Sequence, residues 1–346
     1  MAIPWGRADR IAGCLLGSAI GDALGSAFEF VDSRTIARYL GEPVVRRFEP
    51  AMPGSLLHPR AAGRPTDDTA MAICVARAMA SRAEPTPERF ARSFLDGLER
   101  GSGLVAEMFW TGGPGGATTR ALSRLRAGAD PAGCGAATDG GNGAAMRAHP
   151  VGVLGDRLAV LRVAGLQARV THGHPAAVAA AQAVAVVVHA ALRGAGATAD
   201  CPAGIDEPTF ARAWATAHAD LRTVDGDLPP HLRDVGMSGW ETVSAAHAIS
   251  LLYDDPIEAI GRAAASGGDT DTVAAIVGAI VGARCGKSAF PVALTAGLRD
   301  GGTIAEAVDA LVDADGFPFV LDPRAGNLDD QIKSVNDAFE KWRREE

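Results

Sequence analysis

Apolar residues recur with helical spacing along most of this chain, and this periodicity constrains the fold more than any other feature. Segments that alternate apolar and polar residues with β-branched enrichment, as strands do, are nearly absent. The sequence therefore predicts an all-α protein. The predicted helices span residues 7–26, 33–40, 68–82, 87–100, 115–127, 143–149, 156–169, 174–194, 207–222, 239–252, 255–264, 271–284, 288–300, 303–313 and 327–344.

The composition favours close packing of these helices. The 346 residues include 42 glycines and are 47% hydrophobic, but only 5% are aromatic. Small side chains allow helices to approach one another closely, and glycine allows it best. None of the Gly- and Pro-rich connections is long or biased enough to link independent domains. We therefore expect one compact domain over residues 1–346, in which residues 315–346 form a C-terminal extension.

Charge and cysteine usage exclude several classes of protein. The formal net charge is -8 and no segment gathers Lys and Arg, so we expect no nucleic acid partner. The five cysteines are scattered without a CxxC pair, which argues against a zinc cluster or a disulfide framework and fits a reducing cytoplasm. Residues 176–192 are apolar but interrupted by Gln182 and His189. They favour a buried core helix, and we expect no membrane partner.

Two short acidic clusters lie about two hundred residues apart: Thr-Asp-Asp-Thr at residues 66–69, and Gly-Gly-Asp-Thr-Asp-Thr at residues 267–272. Each places carboxylates and hydroxyls at the start of an apolar helical segment, and such oxygen ligands select hard cations such as Mg²⁺ or Mn²⁺. If the fold joins the clusters, four carboxylates converge, which is costly without cations. The pattern predicts a two-metal site. The alternative interpretation is that these residues are ordinary helix N-caps.

Three further segments carry polar groups whose role the spacing leaves open. Glu29 follows a small-residue helix, and its carboxylate fits a metal ligand, a proton carrier or a solvated helix end. Gly-Gly-Asn-Gly at residues 140–143 precedes a predicted helix. Its free amides fit a phosphate, although a plain turn has the same pattern. His172 and His174 lie two apart without a Cys or carboxylate partner, which indicates capping or packing rather than a zinc site.

Five motifs, taken in order, resemble the ADP-ribosylglycohydrolase family. They are residues 17–29, 66–71, 141–147, 171–172 and 267–282. The element Gly-Gly-Asp-Thr-Asp-Thr-Val-Ala-Ala-Ile is specific to that family. The resemblance implies a compact orthogonal bundle of helices with a cleft that holds two Mg²⁺ or Mn²⁺ ions. It also implies hydrolysis of the glycosidic bond between ADP-ribose and an acceptor.

The resemblance further implies a role for individual residues. The expected metal ligands are Thr66, Asp67, Asp68, Asp269, Asp271 and Thr272. Glu29 matches a mobile glutamate that reaches the metal or the substrate, and the expected catalytic residues are Glu29, Asp68 and Asp269. The expected substrate-binding residues, near the ribose and diphosphate, are Gly115, Thr118, Gly140, Gly141, Asn142, Gly143 and His172. In this scheme the metals bind two ribose hydroxyls while water attacks the anomeric carbon.

The substrate itself is less constrained than the metal site. The leading hypothesis is an ADP-ribosylated protein, with arginine as the acceptor. The second is a small ADP-ribosyl or ribosyl metabolite, and the third is a crystallin-like or regulatory ADP-ribose-binding protein that has lost activity. All the expected acidic positions are intact, which argues against the third. Residues 289–294 lack a tryptophan that the family usually has there, a departure that bears on substrate identity.

Overall fold

The computed structural model describes residues 4–80, 84–100 and 113–313. The α-helices in these ranges are α1 (Pro4–Gly25), α2 (Ser33–Leu40), α3 (Asp67–Ala80), α4 (Pro87–Arg100), α5 (Gly116–Arg126), α6 (Arg157–Arg169), α7 (Pro175–Leu192), α8 (Pro208–Ala217), α9 (Gly239–Leu252), α10 (Pro256–Ala264), α11 (Thr270–Cys285), α12 (Val292–Gly297) and α13 (Gly301–Asp313). Short 3₁₀ helices cover Pro131–Gly133, Asn142–Ala144, His149–Val153, Pro230–Leu232 and Lys287–Ala289. Only isolated β-bridges occur in the described ranges, so the all-α prediction is confirmed.

An antiparallel pair of helices, α1 and α11, forms the centre of the fold. A Cβ added at Gly21 would lie closer than 3.0 Å to the Ala274 carbonyl oxygen, a distance that real Cβ atoms essentially never show. The same holds between Gly278 and the carbonyl oxygen of Gly17. The glycine spacing in α1 therefore serves backbone contact with α11. This contact places the end of α1 beside the beginning of α11.

Helix α7 contains the apolar segment, residues 176–192, that we expected to form a buried core helix. It is long and apolar enough to cross a membrane by length and composition, but 72% of it is buried inside the protein. It packs against α6, α9 and α11. One continuous hydrophobic cluster reaches from Ile11 to Leu311 and includes residues of α7. The assignment of this segment as a core helix is confirmed.

The predicted helix at residues 143–149 is wrong. The chain there forms two 3₁₀ turns, Asn142–Ala144 and His149–Val153. The Ala145 N–H donates to the Asn142 carbonyl oxygen (2.8 Å) and the Ala148 N–H to the Ala145 carbonyl oxygen (3.0 Å), and Pro150 has no backbone N–H to donate to an α-helical bond with Met146. The segment therefore stays irregular, which keeps the glycine-rich turn at its start free of a helix.

Two other predicted helices are too long. The helix predicted at residues 288–300 is interrupted at Phe290, because Pro291 holds that residue in an extended conformation, with φ -90° and ψ 131°. Helix α8 ends at Ala217 rather than at residue 222, and the ring of His218 hydrogen-bonds the carbonyl oxygen of Trp214 there. The predicted helix at 327–344 and the extension at 315–346 lie outside the described residues.

Candidate metal centre

The first acidic cluster is fixed by a carboxylate from another helix. Asp22, near the end of α1, accepts hydrogen bonds from the backbone N–H of Thr66 (2.9 Å) and of Thr69 (3.1 Å). The Thr69 hydroxyl also donates to it, at 2.5 Å. Asp22 therefore satisfies the free amides at the start of α3. The sequence analysis missed this residue, although a lone Asp within a buried small-residue helix signals a hydrogen-bonding task.

The second acidic cluster follows a tight glycine turn. Gly267 and Gly268 have φ of +79° and +75°, in the left-handed region that glycine adopts without strain. The Gly268 carbonyl oxygen accepts from the Phe30 N–H (2.7 Å), and the Asp269 N–H donates to the Val235 carbonyl oxygen (2.8 Å). The turn is thus held between the segment after α1 and the segment before α9. This arrangement fixes where Asp269 and the start of α11 lie.

Asp269 does not act as an ordinary helix cap. It precedes α11, but its side chain makes no capping hydrogen bond to that helix. Its Oδ2 instead accepts a hydrogen bond from Nδ2 of Asn142, at 2.7 Å. Asn142 also donates to the Thr242 hydroxyl (3.2 Å), which fixes the amide from a second side. The capping interpretation therefore fails for this carboxylate, which is oriented by a residue 127 positions away in the chain.

The two acidic clusters meet in space. The Thr272 hydroxyl lies 3.5 Å from Oδ2 of Asp68, across 204 positions of sequence. One carboxylate oxygen from each of Glu29, Asp269 and Asp271 lies within 4.8 Å of the other two. Glu29 is therefore part of the cluster rather than a solvated helix end. Oδ1 of Asp68 is buried and has no hydrogen-bond partner among the described residues. This set of oxygen donors fits hard divalent cations.

Burial and repulsion from neighbouring carboxylates raise the pKa of four acidic groups in the cluster: Glu29, Asp67, Asp68 and Asp271. Burial raises the pKa of Asp68 and Asp271 well above the usual value, and neighbouring carboxylates raise it further. The pKa of Asp67 rises for the same two reasons. Burial, Asp269 and Asp22 raise the pKa of Glu29 to about 7. A bound cation relieves this repulsion, and the N-terminal ends of α3 and α11 also favour negative charge.

One buried cation lies near the cluster. Arg60 is 7% exposed, and its guanidinium donates to the Pro65 carbonyl oxygen, next to the first acidic motif. Its positive charge lowers the pKa of Asp22 and Glu29, against the effect of burial. Arg60 therefore compensates part of the negative charge. The sequence analysis missed it, because it lies in an irregular loop with no periodic or motif signal.

The glycine-rich turn brings most of the expected substrate-binding residues together. A Cβ added at Gly143 would lie 3.2 Å from Nε2 of His172 and 3.3 Å from the Thr118 hydroxyl. At Gly141 the distance to the same His172 nitrogen would be 3.6 Å. Asn142, between the two glycines, joins this group to Asp269. The absence of side chains at the glycines thus leaves His172 and Thr118 facing one another across the turn.

Two expected substrate-binding residues lie at the margin of this group. Gly140 packs against the ring of Trp240, which itself lies 5.0 Å from the ring of His174. Gly115 is the N-cap of α5, one turn before Thr118, and open space surrounds it. The structure does not bring Gly115 into contact with the acidic cluster. His174 caps α7 through its Nδ1, at 3.2 Å from the Ala176 N–H, as expected for a capping histidine.

A cavity of about 420 Å³ borders the same loop. Its wall includes Val235, which holds Asp269, and Gly236, whose carbonyl oxygen accepts from the Thr242 hydroxyl. Trp240 and Glu241 line another side. The cavity is therefore continuous with the segments that orient the cluster. The carboxylates of the cluster do not themselves line it.

Comparison with known proteins identifies the family of this chain. Residues 5–318 match the profile of the ADP-ribosylglycohydrolase family. The ADP-ribosylarginine hydrolase Tri1 of Pseudomonas putida (strain GB-1) is 30% identical over 82% of this chain and 72% of its own length. The ADP-ribosyl-[dinitrogen reductase] glycohydrolase of Rhodospirillum rubrum is 26% identical over 82% of this chain and 88% of its own. A solved structure named an ADP-ribosylglycohydrolase-related protein complex superimposes with a TM-score of 0.72 at 29% identity, covering 90% of this chain and 99% of that one. The chain therefore belongs to the ADP-ribosylglycohydrolase family.

Proposed function

We propose that this protein hydrolyses the glycosidic bond between ADP-ribose and the arginine side chain of a modified protein, with the help of two divalent cations. The observation that carries the proposal is the meeting of two acidic clusters, seen in the contact between Asp68 and Thr272 and in the shared position of Glu29, Asp269 and Asp271. Membership of the family supports ADP-ribosyl glycohydrolase activity. The arginine acceptor rests on the name of the Pseudomonas putida relative.

The residues present fit a pair of hard cations. Carboxylate and hydroxyl oxygens converge, one carboxylate oxygen of Asp68 is buried without a partner in the described part of the chain, and repulsion disfavours the charged cluster by itself. We assign the ions, Mg²⁺ or Mn²⁺, to Thr66, Asp67, Asp68, Asp269, Asp271 and Thr272. When bound, such ions would offset part of the negative charge of these carboxylates and would act as Lewis acids toward hydroxyl oxygens.

The carboxylates of the cluster have two tasks in the reaction. Cleavage of a glycosidic bond develops positive charge at the anomeric carbon, and the negative field of Asp68 and Asp269 stabilises it. Glu29 is the residue we assign to proton transfer with water or the leaving group, because one of its carboxylate oxygens lies within 4.8 Å of those of Asp269 and Asp271. Its position at the partly exposed edge of the cluster fits contact with substrate.

The glycine-rich turn is assigned to the ribose and diphosphate. Gly140, Gly141 and Gly143 expose backbone without side chains, while Thr118 and His172 offer hydrogen-bonding groups beside them. Asn142 lies in this turn and donates a hydrogen bond to Asp269. It therefore fixes the distance between the proposed diphosphate site at the turn and the acidic cluster where we propose that the glycosidic bond is cleaved. Gly115 is included in the proposed site only because it is the N-cap of α5, the helix that contains Thr118. The adjoining cavity near Trp240 is assigned to the acceptor.

The decisive experiment compares substrates and cations. Purified protein is incubated with an ADP-ribosylated arginine peptide, an ADP-ribosylated serine peptide and small ADP-ribosyl conjugates, each with Mn²⁺, Mg²⁺ or EDTA. We expect release of free ADP-ribose, measured by chromatography, from the arginine peptide with a cation and none in EDTA. Preferential turnover of a small conjugate would instead identify a metabolite hydrolase. Binding of ADP-ribose without turnover of any substrate would identify a binding protein.

Two variants make the assay specific to the cluster. Asp269→Asn removes one carboxylate charge and is expected to abolish turnover while the protein stays folded. Asp255→Asn, at the exposed N-cap of α10, is the matched control and should keep the wild-type rate. Wild-type turnover in Asp269→Asn would reject the assignment.

We further propose a cytoplasmic location, since all five cysteines are free thiols.

A further inference from the structure

A charged side chain is completely buried beneath the glycine-rich turn. Arg147 is 0% exposed, and its guanidinium lies 4.4 Å from the ring centre of Phe94. Its Nε donates to Oε1 of Gln167 at 2.9 Å, and its Nη2 donates to the hydroxyl of Thr171 at 2.6 Å. Burial of a cation is costly unless it makes such bonds. The bond to Thr171 leads directly to the proposed substrate site.

Thr171 connects the guanidinium to His172. The Thr171 hydroxyl is fully buried and lies 2.8 Å from Nδ1 of His172. An arginine can only donate, so the hydroxyl oxygen accepts from Arg147 and its own hydrogen remains available for Nδ1. The opposite arrangement, with the hydrogen on Nδ1, would leave a buried hydroxyl hydrogen without an acceptor among the described contacts. Nδ1 is therefore the acceptor of this pair.

The other ring nitrogen faces the glycine-rich turn. Nε2 of His172 makes no hydrogen bond within the part of the chain that the structure describes. It lies next to Gly141 and Gly143, and a Cβ at Gly143 would stand 3.2 Å from it. Burial and the charges of Arg147 and Arg120 lower the pKa of His172 to about 3, so the ring is neutral and carries one hydrogen. That hydrogen belongs on Nε2, because Nδ1 accepts.

We infer that Arg147 and Thr171 are positioning residues that hold His172 as the neutral tautomer with its hydrogen on Nε2, aimed as a fixed donor at an anionic oxygen of the substrate. The oxygen that fits is that of a phosphoryl group beside the glycine-rich turn, and this identification rests on the proposed function. In the ligand-free protein the ring is therefore neutral at neutral pH, with its single hydrogen on Nε2. It supplies the same hydrogen bond across the neutral pH range.

Nuclear magnetic resonance tests the tautomer without any substrate. The protein is labelled with ¹⁵N in its eight histidines, and ring correlations are recorded at pH 7, with His172→Gln used to assign the signals. The wild type should show a protonated Nε2 and an unprotonated Nδ1. Thr171→Val removes the hydroxyl at constant shape and should give a mixture of tautomers, whereas Thr171→Ser should restore the wild-type pattern. A wild-type ring protonated on Nδ1, or a Thr171→Val ring unchanged from wild type, would overturn the inference.

Steady-state kinetics with the ADP-ribosylated substrate gives the second readout. Thr171→Val should raise KM about 10-fold with little change in kcat, since a phosphate contact exists in both ground and transition states, and Thr171→Ser should reverse this. An unchanged KM in Thr171→Val would count against the inference. Failure of the proposed function is distinguishable, because the tautomer signals would then behave as expected while no ADP-ribosyl conjugate is hydrolysed. Arg147 variants are not required, so a folding defect there leaves the test intact.

Discussion

At the scale of single residues, the candidate ligands are held by side chains that are not ligands themselves. Asp22 holds the start of α3, where Asp67 and Asp68 lie, and Asn142 holds Asp269. Such supporting hydrogen bonds orient metal ligands and tune their basicity, and their loss typically weakens a site without destroying it. The geometry of the cluster therefore depends on residues outside the acidic motifs.

The Asn142 amide offers a direct test of this dependence. Asn142→Ala removes the 2.7 Å hydrogen bond to Asp269, so we expect kcat/KM for ADP-ribose release to fall about 10–100-fold at saturating Mn²⁺. Gln182→Ala removes a remote amide that bonds the Leu161 carbonyl oxygen, and it should leave kcat/KM unchanged. Equal rates in Asn142→Ala and the wild type would show that Asp269 does not need this support.

The pKa of Glu29 predicts how stability depends on pH in the metal-free protein. Its pKa rises from 4.5 to about 7 on folding, so between these values the folded protein holds a proton that the unfolded chain has released. This stabilisation is complete below about pH 4.5 and is lost as the pH rises through 7. We expect the Tm measured in EDTA to fall across this window, and Glu29→Gln to reduce the fall. Glu99→Gln, at an exposed ion pair with Arg126, should not.

At the scale of elements, one helix contact positions the whole site. The backbones of α1 and α11 touch through glycines, so Asp22 and Gly25 at the end of α1 lie beside the start of α11. The Thr270 hydroxyl donates to the Gly25 carbonyl oxygen at 2.8 Å, which fixes this end of the pair. Because helices are stiff, a change in their separation at mid-length moves the cluster at their ends.

A matched pair of glycine substitutions tests this contact. Gly278→Ala places a Cβ against the Gly17 carbonyl oxygen, and the overpacking should lower the free energy of unfolding by about 3 kcal/mol or more and weaken Mn²⁺ binding. Gly6→Ala lies in α1 with nothing within 4 Å of the new Cβ, so it should stabilise the protein by about 0.5–1 kcal/mol. Urea denaturation and calorimetry measure both effects. A neutral Gly278→Ala would contradict the close contact.

At the scale of the whole molecule, the site exists only in the folded chain. Its carboxylates come from the loop after α1, the start of α3 and the start of α11, and the unfolded chain does not bring them together. Ligands that bind only the folded state stabilise it, by about 2.7 kcal/mol at one hundred times Kd. Binding of the proposed cations would therefore be coupled to folding.

This coupling predicts opposite effects of one substitution. Asp271→Asn should raise the Tm in EDTA, because it removes one of several mutually repelling buried carboxylates, and it should abolish the increase in Tm that Mn²⁺ produces in the wild type. Asp156→Ala removes the side chain that caps the start of α6, outside the cluster. It should lower the Tm and preserve the response to Mn²⁺. A cation response that survives Asp271→Asn would exclude Asp271 as a ligand.

Local patterns in the chain predict the helical architecture and identify the acidic motifs, because helix periodicity, N-terminal prolines such as Pro87 and capping residues act within a turn or two of the chain. The tertiary structure alone decided that Asp22 caps α3, that Asn142 orients Asp269, and that Arg147 reaches His172 through Thr171. Apart from the adjacent pair Thr171 and His172, these bonds join residues 20 or more positions apart, and no local pattern encodes which distant partner a buried polar group meets. Packing between elements that are distant in the chain, such as α1 on α11, decides which of these groups meet, because it fixes which helix ends lie next to each other.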